Sequence, residues 1–166
     1  LAVVVDPGRL AAGIVDQRGE VLVRDRIGTP TREVWRVLEQ LVLRVLAARP
    51  DDVAAPSSVA ISCAGPIDEP AGAVSPAALP AWSGFPLRRH VEDLTGLPVV
   101  LDTLAGAAAE GELRYGDTVT TSSFFLLALD PLLVVGELRP GALPAVQVLG
   151  RLCLQPFHFI RRLPRG

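Results

Sequence analysis

Lysine and methionine are both absent from this 166-residue chain, and its 16 basic residues are all arginine. Set against 18 acidic residues, they leave a net charge of −2. That excludes the broad basic field expected of a general nucleic-acid or anionic-membrane binder. Arginine without lysine, beside abundant Ala, Leu, Val and Pro, reads as genome bias rather than function. Cysteine is scarce: Cys63 and Cys153 are the two. They cannot build a disulfide framework, neither sits in a CxxC or Cys/His spacing, and two buried thiols in a reducing compartment are expected. No apolar run approaches the roughly 20 residues that span a bilayer. No basic segment followed by an apolar one opens the chain, so a cytoplasmic protein is expected. The first residue is Leu1 rather than Met, which leaves room for residues ahead of it.

What is present is apolar: 49% of residues are hydrophobic and 20% are charged. At this length that composition supports one globular domain with a core. Ala2 to Val5 is a continuous apolar run that reads as a buried strand, and Asp6-Pro7-Gly8 reads as a turn. Leu10 to Val15 and a segment from Val21 complete a β-meander. Thr29-Pro30 has the form of a helix cap followed by proline at the first helical position. Val34, Leu38, Leu41, Val45 and Leu46 then recur at helical spacing up to Pro50. Val59 to Ser62 predicts a strand, and residues 68–84 a long loop. A short helix is expected from Pro86 to Thr95, a strand at Val99 to Leu101, an Ala-rich helix from Leu104 to Leu113, and a hairpin around Asp130-Pro131. Meander, helix, then strands joined through helices indicate a mixed α/β layer fold.

Several segments in this order resemble the ROK family of sugar kinases and repressors. They are Leu10-Ala11-Ala12-Gly13-Ile14-Val15-Asp16, Gly65-Pro66-Ile67-Asp68, Leu79-Pro80-Ala81-Trp82, Gly96 to Asp102, and Ala107-Ala108-Ala109-Glu110-Gly111-Glu112 through Tyr115-Gly116. The resemblance implies an actin-like (ribonuclease H-like) first lobe over residues 1–117, with a β-meander and helices packed on a mixed sheet. Residues 118–166 would be the start of a second lobe and a tail, with most of that lobe missing.

The family's chemistry, as the resemblance implies it, uses a DxGGT turn and a later glycine turn for the phosphates. An Asp in an N-D-A-N run is the general base, and a G-E-x-G-H segment binds sugar, often beside a zinc-holding cysteine cluster. Counting back from Ala107, the N-D-A-N run becomes Thr103-Leu104-Ala105-Gly106, so Leu104 stands where the base belongs. Asp102 could serve only through a shifted register and is otherwise expected to cap or hydrogen-bond a helix start. The first phosphate turn keeps only Asp6 and Gly8, with Pro7 lacking an N–H. The second is replaced by Leu129-Asp130-Pro131-Leu132-Leu133. Ala78, Val148 and Arg151 occupy further sugar and metal positions, and Cys153 stands alone.

The expectation is therefore a non-catalytic ROK-like domain with an assembly or regulatory role, no cofactor and no metal. An uncovered apolar face would make it a homo-oligomer or pair it with a partner protein. Two alternatives stand beside it. One is an active, glucokinase-like ATP-dependent sugar kinase using Asp102. The other is the effector domain of a ROK-type repressor, which would touch nucleic acid only through an upstream helix-turn-helix segment. His90, beside Arg88 and Arg89, is expected at the surface. His158 and the tail arginines Arg161, Arg162 and Arg165 are expected to be a solvated terminus. Trp35 and Trp82 are expected to anchor core or loop.

Overall fold

In the computed structural model the described residues are 1–115, together with the backbone of 125–130 and 132–137. Strands β1 (Ala2–Val5), β2 (Arg9–Val15) and β3 (Val21–Gly28) form the meander. Helix α1 (Val34–Ala47) leads to β4 (Val59–Cys63). A small hairpin, β5 (Ile67–Asp68) and β6 (Ala73–Val74), precedes a 3-10 turn at Pro80–Trp82 and helix α2 (Leu87–Thr95). Strand β7 (Val99–Thr103) runs directly into α3 (Leu104–Tyr115), and β8 (Phe125–Asp130) pairs with β9 (Leu132–Glu137).

The main sheet has the order β3-β2-β1-β4-β7. The meander is antiparallel, whereas β1, β4 and β7 are parallel. The two most apolar strands, β1 and β4, are buried at every residue because they lie inside the sheet with both faces covered. One face carries the larger core. Val3, Val5, Leu10, Ile61 and Leu101 meet Leu38, Leu41, Val42 and Val45 of α1 and Leu87 and Val91 of α2. The opposite face is built from small side chains, Ala2, Val4 and Ala60, against Ala107, Ala108 and Ala109 of α3. Alanine on both sides lets this helix lie close to the strands, so the Ala-rich run seen in the sequence is a packing feature. Gly96 ends α2 with a φ of 67°, the left-handed conformation that glycine adopts without cost.

Two local expectations are corrected. Helix α1 starts at Val34, not at Pro30. The Thr29 hydroxyl donates to the carbonyl of Asp6 at 2.7 Å, which ties this residue to the β1–β2 turn instead of to a helix end. The 68–84 segment is not a plain loop, since it holds the β5–β6 hairpin and the 3-10 turn. Strands of two residues are too short to show an alternation pattern. The domain boundary expected at 117 and the residues Val148, Arg151, Cys153, His158 and the tail arginines lie outside the described residues. Among the described residues, Leu22, Ile27 and Leu43 are the exposed large hydrophobics, and no helix is long and apolar enough to cross a membrane.

Candidate functional site

Open α/β sheets place ligands at the carboxyl ends of their parallel strands. Here that edge is formed by β1, β4 and β7, whose last residues Val5, Cys63 and Thr103 stand in register. At about 4.8 Å per strand, the turn after β1 lies about 10 Å from the start of α3. Asp6, Pro7 and Gly8 are thus brought to the same edge as Asp102, Thr103 and Leu104.

The β1–β2 turn is closed on itself. The Asp6 N–H donates to the Arg9 carbonyl at 3.0 Å, and the Arg9 N–H donates to the Asp6 carbonyl at 3.2 Å. The Gly8 N–H donates to the Asp6 carboxylate at 2.8 Å. Pro7 has none to give. Every backbone donor of a phosphate-binding turn is therefore either absent or already engaged.

At the other end of the site, Thr103 caps α3. Its hydroxyl accepts the Gly106 N–H at 3.0 Å, satisfying one of the unpaired amides of the first helical turn. Leu104 is the first residue of that helix, half-buried against the alanine layer. Asp102 does not cap; its carboxylate accepts the Thr103 N–H at 2.6 Å. It also lies flat against the helix. A Cβ on Gly106 would come within 2.6 Å of both carboxylate oxygens, so any larger residue there would have to displace the Asp102 side chain. Burial raises the Asp102 carboxyl above its ordinary range, the charge of Glu69 adds to this, and the Thr103 hydrogen bonds oppose it. Glu110, one face along the same helix, is raised by burial and then by the charge of Asp102.

Cys63, at the end of β4, is a free buried thiol pushed up to about 12 by burial, so it is not a nucleophile. Among the described residues, no group of three or more His, Cys, Asp or Glu side chains is placed to hold a metal ion. Ala78 is exposed ahead of the 3-10 turn, where it offers a ligand no side-chain hydrogen bond. Trp82 is buried and stacks on Phe85 at 4.4 Å between ring centroids.

The ROK family profile matches residues 3–130. The chain belongs to the ROK family. It is 34% identical over 118 residues to a glucokinase of Streptomyces coelicolor, covering 70% of this chain and 36% of that enzyme. A xylose repressor of Caldicellulosiruptor bescii is 28% identical over 115 residues, covering 67% of this chain and 29% of the repressor. Among solved structures, a ROK family glucokinase from Streptomyces griseus in complex with glucose and AMPPNP superposes with a TM-score of 0.70. It shares 28% identity over 84% of this chain and 46% of the glucokinase. This ROK chain spans about a third of the length of the curated relatives it matches. Its mixed α/β layers are those of the actin-like ROK fold.

Sequence reasoning expected Asp102 to cap or hydrogen-bond a helix start; it does hydrogen-bond there, to the Thr103 N–H, while the cap itself is Thr103. The partnership of Asp102 with Gly106 spans four positions, and only the strand-to-helix junction reveals it. Glu110 appeared only as one letter of a family segment. Its single signal was a carboxylate placed among alanines on a buried helix face.

Proposed function

We propose that this chain is a ROK lobe that does not transfer phosphoryl groups and that serves in assembly or regulation. The observation that carries this reading is the self-satisfied turn from Asp6 to Arg9. A turn that cradles phosphate must aim free N–H groups outward. Leu104 supports the reading, because a hydrocarbon side chain accepts no proton from a sugar hydroxyl.

The test is a coupled assay on purified protein with ATP and glucose, N-acetylglucosamine or mannose. The expected result is no turnover above the blank. Turnover that Asp102→Asn abolishes would overturn the proposal and establish the active-kinase reading. One observation favours that second reading: a half-buried carboxyl with a raised pKa is the kind of group a general base requires. Against it, the Asp102 carboxylate is turned into the helix start rather than outward. The similarity to a xylose repressor leaves the effector-domain reading beside both.

An assembly role requires a second copy or a partner protein. Light scattering at micromolar concentration is expected to give a mass above that of one chain, and a single monomer peak would count against self-association.

A further inference from the structure

On the sheet face opposite Asp102, α1 and α2 enclose a groove of about 350 Å³ lined by Trp35, Glu39, His90, Asp93 and Leu94. We propose that this groove receives an arginine side chain from a partner polypeptide.

Two of its lining residues, Trp35 and His90, belong to a larger ring cluster. Trp82 stacks on Phe85, Phe85 lies 4.5 Å from His90, and His90 meets Trp35 edge-on at 4.9 Å between ring centroids. The His90 Nδ1 lies 3.0 Å from the carbonyl of Pro86, which can only accept, so Nδ1 donates. In the neutral ring this leaves Nε2 as an acceptor. His90 lies at the surface as expected, half-buried where it borders the aromatic cluster.

The walls carry the charge. Glu39 is half-buried and forms no ion pair or hydrogen bond among the described residues. Asp93 is paired with Arg89 at 3.8 Å, but the two side chains are 74% and 81% exposed. An exposed pair of that kind is readily exchanged for another. Arg36, on the same helix, is paired with Glu33 at 3.8 Å.

A cation that lies against indole while reaching two carboxylates fits this lining. Guanidinium suits it better than ammonium, because its plane stacks on an aromatic ring while its N–H fork meets a carboxylate. The open shape of the groove accepts a side chain that remains attached to a polypeptide. The inference stands apart from the non-catalytic reading, since none of these residues belongs to the strand edge described above.

The test is to titrate the full chain with acetyl-Gly-Arg-Gly-amide and follow the Trp35 and Trp82 indole resonances by NMR at low salt. A saturable shift at Trp35 with millimolar affinity is expected. Glu39→Gln should weaken it about threefold, as should Asp93→Asn, with melting temperatures unchanged. The citrulline peptide, which has the same shape without the charge, should not bind. The proposal is overturned if citrulline binds equally, if both variants bind like the parent, or if tetramethylammonium matches the arginine peptide. That last result would assign the groove to small quaternary cations.

Discussion

Asp102 is a half-buried carboxyl whose charged form loses hydration where it sits. Its folded-state pKa is raised, mainly by burial. A raised carboxyl pKa contributes stability that is fully present below the unfolded value, about 3.9, and is lost as pH rises through the folded value. Above that window the ionised side chain is a burden on the native state. Asp102→Asn keeps an oxygen for the Thr103 N–H and removes the charge. The variant should therefore melt higher than the parent at pH 7, and the gap should close as pH falls toward 4. A thermal-melt series across that range checks it, and a gap independent of pH would refute the assignment. Leu104, two residues on, illustrates the limit of reading residues singly. Its identity was plain in the sequence, but its place at the first position of a helix capped by Thr103 had to come from the fold.

At the scale of elements, the strands of the main sheet and the three helices among the described residues were legible: α1 by its periodic apolar stripe, α2 by the Pro86 and Gly96 that bracket it, and α3 by its alanine-rich composition. The start of α1 was not. Thr29-Pro30 carries a capping signature, but a tertiary bond from Thr29 to the Asp6 carbonyl claims that hydroxyl first. The helix then begins after Glu33, which has a φ of 52° and makes no side-chain capping bond. A non-glycine residue in the left-handed region carries a cost of about 1–2 kcal/mol. Glycine removes that cost but adds freedom to the unfolded chain. The 3.8 Å contact of Glu33 with Arg36 is exposed and contributes little. Glu33→Gly should thus stabilise the protein by about 0.5–1 kcal/mol, a rise in melting temperature of about 1–4 °C. Glu33→Ala should not reproduce it, since alanine retains the Cβ that makes the conformation costly.

For the molecule as a whole, the question is whether this edge of the sheet can hold a nucleotide. The first reversal, at Pro7-Gly8, has no free donor. The second, between β8 and β9, has Asp130 in register with Leu132. On the non-catalytic reading proposed above, neither turn offers amides to share the phosphate charge. A ligand present at 100 times its Kd stabilises the native state by about 2.7 kcal/mol. For a chain of this size that is a rise of about 5–10 °C in melting temperature. With millimolar Mg-ATP or AMPPNP the expected rise is under about 1 °C, within the effect of ionic strength alone, and added glucose should not change it. A saturable rise of several degrees would mean that donors are supplied by other parts of the chain. The proposal that this lobe holds no phosphate would then be overturned, whatever the closed turn after β1 suggests.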